Sequence, residues 1–256
     1  MQLETIRIFN YSVTIAPAPR LAATERITKS LQGERTLAFF LNPHTIEVAA
    51  NDEELRTSIE IASNLYCDGI GLSIAIALVK KKIVKRVIGY DFFISTSDVA
   101  FEAIQDLKVL FIGGSKEVCS KIERRYKYAY PQVTVDFIIP DVQDRFSEST
   151  LDAWAKHATD FNPHIIWVGL GSPKQEKVCA ELFRRTSSPF IGAIGAVFDF
   201  YSELESEKTR KFFQRLGIQW LQRLILEPKR LWRRTFFSGT KFIIRTVLEI
   251  MRPIDK

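Results

Sequence analysis

The sequence predicts an α/β fold in which a mostly parallel sheet carries helices on both faces, followed by a basic helical appendage. Three observations carry that expectation. Apolar runs rich in β-branched and aromatic residues alternate with longer amphipathic stretches, the rhythm of parallel strands joined by crossover helices. Small and polar clusters follow several of those runs, at the strand ends where ligands of such sheets bind. After Tyr201 the strand pattern stops and basic residues accumulate.

Taken in order, Met1 to Val13 mixes Gln2, Glu4 and Arg7 with short apolar stretches and so lacks the continuous apolar region of a signal peptide. The first predicted strand runs from Thr36 to Leu41 and ends at Asn42-Pro43-His44. A helix is expected from Asp52 to Ser63. The short apolar stretch Asn64-Leu65-Tyr66 then leads into Cys67-Asp68-Gly69-Ile70-Gly71, with a helix from Leu72 to Lys80. Arg86-Val87-Ile88-Gly89-Tyr90-Asp91 comes next, where Asp91 is placed as the cap of another helix. Strands follow at Lys108 to Ile112, Val133 to Ile139, Ile165 to Val168 and Phe190 to Ile194. Between them, helices are expected from Lys116 to Tyr130, Ser149 to Phe161 and Pro173 to Arg184. Beyond Tyr201 the chain reads as short helices broken at Gly217, Pro228 and Gly239, which divides it into an α/β domain over 1–206 and an appendage over 207–256.

At 256 residues, with 46% hydrophobic and 26% charged, the chain has the composition of one main folded domain with an appendage. Cys67, Cys119 and Cys179 are widely spaced, form no CxxC pair and stand beside no histidine. They point to a reducing cytoplasm. No uncharged apolar run approaches the roughly 18 residues that span a bilayer. The net charge of +6 is uneven: Lys208 to Lys256 holds thirteen Lys/Arg against three Asp/Glu, a local +10, so the remainder is −4. Such a basic end suits a polyanionic partner, whether nucleic acid, an anionic membrane or substrate phosphates.

Two glycine turns invite a phosphate. Gly169-Leu170-Gly171-Ser172 runs into Pro173-Lys174-Gln175-Glu176 at a helix start, with Pro173 suited to the first turn. Gly113-Gly114-Ser115 repeats the arrangement, and both would offer backbone N–H groups to a diphosphate or serve as plain strand-to-helix connections. Asp68 also has two readings: a helix cap, or a general base whose flanking glycines let a bulky substrate approach. In Gly192-Ala193-Ile194-Gly195-Ala196-Val197-Phe198-Asp199-Phe200 the small residues mark a close approach by a ligand or a packed helix. There is no Asp-x-Asp pair, His44, His157 and His164 form no helical metal pair, and no Gly-x-Ser-x-Gly elbow occurs. No metal and no cofactor is therefore expected.

Five blocks, in order, resemble the WecG/TagA/CpsF family of glycosyltransferases. They are Asn42-Pro43, Asp68-Gly69-Ile70-Gly71 with Arg86 to Asp91, Val168 to Lys177, Gly195 to Phe200, and a closing block from Arg215 to Leu224 continued by Glu227 to Arg234. The resemblance spans Thr36 to Arg234. It implies an inverting, metal-independent enzyme of Rossmann-like fold that moves a sugar from a UDP-sugar to a polyprenyl-diphosphate-linked saccharide in cell-surface polysaccharide synthesis. On it, Asp68 matches the family's catalytic base, and Asn42 and Gln175 match polar positions of the same pocket. Gly69, Gly113, Gly114, Gly169, Gly171, Lys174, Glu176 and Asp199 complete the candidate substrate-binding set. Arg215, Arg223, Arg230, Arg233 and Arg234 would face the acceptor diphosphate or the membrane. The chain departs at Phe40, where many members have Thr, at Gln219 in place of an acid, and at Lys208-Thr209-Arg210 in place of Arg-Ala-Pro. N-acetylmannosamine, its uronic acid and glucose all remain open as donor sugars.

Two other classes compete. A nucleic-acid-binding protein would use aromatics interleaved with the basic tail, for which Trp220, Trp232, Phe236 and Phe237 nominally serve, yet no recognised nucleic-acid motif accompanies them. A nicotinamide-dependent oxidoreductase would need GxGxxG with an acid about 20 residues on, which is absent. The enzyme is thus expected on the inner face of the plasma membrane as a peripheral protein, with an anionic membrane surface, a UDP-sugar and a lipid-linked acceptor as partners and no nucleic acid. A homo-oligomer is left open.

Overall fold

A computed structural model describes residues 3–203 and 228–251, with side chains of the last helix described from Ser238 onward. The strands are β1 (Glu4–Ile8), β2 (Tyr11–Ile15), β3 (Thr36–Leu41), β4 (Asn64–Cys67), β5 (Lys108–Gly113), β6 (Thr134–Ile138), β7 (Ile165–Gly169) and β8 (Phe190–Ala193). They form one sheet in the order β1-β2-β4-β3-β8-β7-β5-β6. Every neighbouring pair is parallel except β1 and β2, an antiparallel hairpin at one edge. The helices are α1 (Pro19–Leu31), α2 (Pro43–Ala49), α3 (Glu53–Glu60), α4 (Ile70–Lys80), α5 (Gly89–Ala103), α6 (Lys116–Ala129), α7 (Glu148–Phe161), α8 (Lys174–Arg185), α9 (Val197–Ser202) and α10 (Pro228–Met251). The predicted Rossmann-like α/β architecture and the C-terminal helix are both present.

Alternation along the strands sorts the core into two layers, because successive side chains leave opposite faces of a sheet. On β3, Leu37, Phe39 and Leu41 point into one layer while Ala38 and Phe40 point into the other; on β7, Ile166 and Val168 oppose Ile165 and Trp167. The first layer is closed by apolar residues of α2, α3, α4, α7, α8 and α10. The second, closed by α1, α5, α6 and α9, is dominated by rings, with Phe92 within 4.8 Å of Tyr66 and Phe93 within 5.4 Å of Trp167. Arg35, just before β3, ties the sheet to α8. Its guanidinium donates to the carbonyls of Phe183 (2.7 Å) and Thr186 (2.6 Å) and stacks 4.1 Å over the Phe183 ring. Carbonyls at the end of a helix lack partners within it, so a cation is well placed there.

Several expectations need correction. Asp91 is not a cap: α5 begins at Gly89 with Ile88 at the N-cap, and Asp91 sits within the first turn, where its charge favours the helix dipole. Gly239 breaks nothing, since α10 runs through it to Met251. A glycine costs a helix interior about 1 kcal/mol, and α10 outweighs that by its own packing. Phe242 is buried against Phe9 at 5.3 Å, and Arg245 binds Glu47 on α2 at 2.6 Å. Pro173 stands at the N-cap of α8, one position earlier than expected. The hairpin, β4, α1, α2 and α9 went unpredicted. The expected breaks at Gly217 and the division near 206 lie outside the described residues.

The element placement that matters most for the site is the meeting of α2 and α4, which leave adjacent strands β3 and β4. A Cβ built on Gly71 would stand 2.7 Å from Pro43 Cγ, so only glycine lets the two helix starts approach this closely. We expect Gly71→Ala to lower the urea midpoint by about 1–3 kcal/mol worth of stability, the usual cost of overpacking. An unchanged midpoint would show that α2 yields freely.

Candidate active site

A cavity of about 610 Å³ opens at the carboxyl ends of β3, β4, β7 and β8. That size is ordinary for a small-molecule site. Each wall can be traced to a local cause.

Asn42 ends β3 and caps α2, its Oδ1 accepting from the Thr45 N–H at 3.1 Å with Pro43 in the first turn. The cap uses the oxygen and leaves the amide hydrogens as the donors Asn42 can offer a ligand. Asp68 follows β4. Its N–H donates to Leu41 O at 2.8 Å, which extends the β3–β4 ladder to the cavity edge, and its Oδ1 accepts from the Gly69 N–H at 2.8 Å. Asp68 does not hold the N-cap position of α4, which belongs to Gly69 one residue later. Gly69 sits at φ +82°, a conformation that disfavours any other residue there.

Arg86 arrives by a separate route. Val87 N–H donates to Cys67 O at 2.9 Å, so the strand-like segment before α5 is pinned beside the end of β4 and brings its neighbour Arg86 into the cavity wall. Asp68 and Arg86 act in opposite senses on the buried Cys67 thiol between them. Burial first, then Asp68, pushes that thiol up to about 12, against the pull of Arg86. Among the described lining residues Arg86 is the one Lys or Arg. In the sequence Arg86 opens the Arg86 to Asp91 block with no chemistry marked on it beyond being a single arginine that closes a lysine run immediately before an apolar turn.

The remaining walls come from β7, β8 and the helices that follow them. Gly169, Gly171, Gln175 and Glu176 line one side, and Ile194 to Val197 with Asp199 another. Gln175 Nε2 donates to Glu176 Oε1 at 2.9 Å, and both side chains are buried. Gln175 Oε1 has no hydrogen-bond partner among the described residues. Phe40 forms part of the floor, its ring 5.6 Å from Tyr66 and 5.4 Å from Phe92. The position where a hydroxyl was expected from the resemblance therefore belongs to the aromatic layer. The close approach suspected around Gly192 has two parts: Gly192 lies against the Trp167 ring, and Gly195 faces Gln175 in the cavity.

Three predicted residues lie apart. Gly113 and Gly114 do not line the cavity; a Cβ at Gly113 would collide with Gly169 O, and one at Gly114 would press on Val118 and Cys119, so their smallness serves strand and helix packing. Lys174 donates to Gln143 O at 2.9 Å, also off the cavity. Arg215 and Arg223 lie outside the described residues, as do the side chains of Arg230, Arg233 and Arg234. Over the mouth runs α10, which contributes Ser238 and Gly239 and joins α2 through the 2.9 Å hydrogen bond between Ser238 Oγ and His44 Nδ1. His44 and Ser238 were not foreseen as site residues, since only the fold brings them together.

Electrostatically, the cavity collects helix N-termini. α4, α5 and α8 all start at it, none with a side-chain cap, and α4 has no acidic residue in its first turn. Uncapped N–H groups and the positive dipole end favour an anion, a phosphate above all. Asp68 supplies a carboxylate beside that anion-favouring rim, so the arrangement can bind a phosphorylated ligand and deprotonate a hydroxyl next to it.

The sequence profile of the Glycosyl transferase WecG/TagA/CpsF family matches residues 6–256. Two relatives share one name, N-acetylglucosaminyldiphosphoundecaprenol N-acetyl-beta-D-mannosaminyltransferase. The protein of Bacillus subtilis is 29% identical over 213 residues, covering 82% of this chain and 78% of its own length. That of Bacillus spizizenii is 27% identical over 200 residues, covering 75% and 72%. With almost the whole chain matched and a cavity suited to a phosphorylated ligand at the expected strand ends, the chain belongs to the WecG/TagA/CpsF family of glycosyltransferases.

Proposed function

We propose that the protein transfers N-acetylmannosamine from its UDP-linked form to N-acetylglucosamine carried on undecaprenyl diphosphate, with inversion at the anomeric carbon. The observation that supports it is the glycine-flanked Asp68 beside Arg86 and the uncapped start of α4 in one cavity. The names of the two Bacillus relatives favour this donor sugar over its uronic acid or glucose.

In this reading the acceptor hydroxyl meets Asp68, whose carboxylate is oriented by the Gly69 N–H. Asp68 takes the proton as the oxygen attacks the anomeric carbon from the face opposite the leaving group. UDP departs with the bonding pair. Its growing charge is met by the N–H groups of α4, by Arg86 and by the Gly169 to Ser172 turn, a preorganised electrostatic arrangement of the kind that dominates many transfer reactions. Asn42, Gln175, Glu176 and Asp199 hold the sugars. Gln175 has a defined part here: one amide hydrogen goes to Glu176, and its unpartnered Oε1 offers an acceptor to a ligand N–H or O–H. The basic segment from Lys208 to Lys256 docks the enzyme as a peripheral protein on the anionic inner leaflet, where the acceptor lipid is anchored. Each Lys or Arg near such a surface contributes about 1 kcal/mol. No helix among the described residues is long and apolar enough to cross the membrane.

The test of the whole reading is to incubate the protein with UDP-N-acetylmannosamine, UDP-N-acetylmannosaminuronic acid and UDP-glucose, each with a short-chain prenyl-diphosphate N-acetylglucosamine, and to weigh the products. A hexosamine added from the first donor alone is expected, and no transfer from any of them would refute it. Asp68→Asn should slow transfer by about 10² to 10⁴, the contribution of a positioned general base, while UDP binding and melting temperature hold. Normal turnover in that variant would remove Asp68 from the mechanism. Activity should also persist in EDTA. The sequence has no Asp-x-Asp pair, and among the described residues no three His, Cys, Asp or Glu side chains gather as a metal site. Loss of turnover restored by magnesium or manganese would overturn that expectation.

A further inference from the structure

We propose that α4 and the lysine-rich turn after it are a second membrane-contacting face, distinct from the basic C-terminal segment, which presses into an anionic bilayer and holds the cavity mouth at the lipid surface. The purpose assigned to this face rests on the reading of a lipid-borne acceptor; the contact itself rests on α4.

α4 is apolar around nearly its whole circumference, with Ser73 as its one polar side chain before Lys80. A helix of that kind is normally buried on all sides. Only its inner side is: Leu72, Ala75 and Ile76 enter the core, while Ile70, Ile74 and Leu78 form an outward stripe at 40%, 51% and 48% exposure. Ile83, in the turn beyond, is 93% exposed. Charge then chooses the partner. From residue 69 to residue 90 there are five Lys or Arg and no Asp or Glu. Lys80, Lys81 and Lys85 are exposed, whereas Lys82 is paired with Glu4. An apolar stripe followed by exposed lysines fits an anionic bilayer, with the isoleucines and leucine among the acyl chains and the lysines at the headgroups. A second copy of the chain fits less well, because this segment has no Asp or Glu to offer the exposed lysines of a partner. At 11 residues, or ~16 Å, α4 is too short to span, so it can only lie in the interface.

The stripe is continuous with the site. Ile70 and Gly71 of α4 line the cavity, as do Ser238 and Gly239 of α10. The two helices meet where Phe242 comes within 4.0 Å of a Cβ built on Gly71. Farther along α10, Ile243, Ile244, Val247 and Leu248 are also exposed. A lipid surface against these helices would bring a membrane-anchored diphosphate to the cavity mouth without lifting its chain out of the bilayer.

The experiment uses the full chain and two variants, Ile74→Gln/Leu78→Gln and Lys80→Gln/Lys81→Gln/Lys85→Gln, whose side chains do not line the cavity. Partition is read by co-sedimentation with phosphatidylcholine vesicles, with and without phosphatidylglycerol. The apolar variant should bind the mixed vesicles about tenfold more weakly or worse, as loss of two buried aliphatic side chains implies, with an unchanged melting temperature. The lysine variant should lose the preference for phosphatidylglycerol. Both should transfer sugar poorly to acceptor embedded in vesicles and normally to a water-soluble acceptor with a short alkyl chain. Unchanged vesicle binding in both variants would overturn the proposal. So would a dimer in the native chain that the apolar variant splits without losing vesicle binding, since the stripe would then be a contact between copies. If the native chain moves no sugar from any donor while the partition results stand, the transferase reading fails and the membrane face survives.

Discussion

Pro43 and Gly71 touch, and that contact governs much of what surrounds the cavity. Strands β3 and β4 are neighbours in a parallel sheet, so the helices that leave them start side by side. How near they start depends on residue 71 having no side chain. Because they start together, the Asn42 cap and the Asp68 carboxylate open onto one space. The same missing side chain gives α10 its seat, for Phe242 packs over the spot that a larger residue would fill. One atom's worth of space thus joins Asn42 and Asp68 to the helix that roofs the cavity.

The rest of the site balances charge against a low-dielectric floor. Helix starts and Arg86 make the rim attractive to an anion, while Asp68, Glu176 and Asp199 stand within the same cavity. Beneath lies an aromatic layer of Phe40, Tyr66, Phe92 and Trp167 that does not yield easily, since close-packed rings transmit strain to their neighbours. Positions set by β-strand ends over such a floor are held more firmly than positions on long loops.

The sequence was most readable where burial is two-sided. Apolar runs such as Thr36–Leu41 and Ile165–Gly169 are strands buried on both faces, and their hydrophobicity has no competing explanation. The edge hairpin was hidden because its turn is Phe9-Asn10, both at positive φ, in place of the Asn-Gly or Asp-Gly pair that advertises such turns. β4 has only four residues, too few for a period. α2 carried a legible start, Asn42 followed by Pro43, but its seven residues are too short for a hydrophobic repeat. Within the site, Asp68 and Asn42 were legible because glycine and proline beside them restrict the backbone. Arg86, His44 and Ser238 were not, because a backbone bond from Val87 to Cys67 and the docking of α10 put them there, and neither is a local property of the chain. Gly113 misled for a related reason: a glycine needed for strand packing has the same appearance in sequence as one needed by a phosphate.

Phe9 holds an uncommon left-handed conformation, φ +51°, while its ring rests against Phe242. The turn that opens the sheet is therefore finished by a residue from the helix that follows every other described element. During translation the cavity floor and walls emerge first, and the Phe9–Phe242 contact can form only once α10 has left the ribosome. Closure of the roof and the last ring contact of the first turn both wait for α10. The growing chain thus has an unroofed cavity for most of its synthesis, and the contact that ends that state is among the longest in sequence separation that the fold contains.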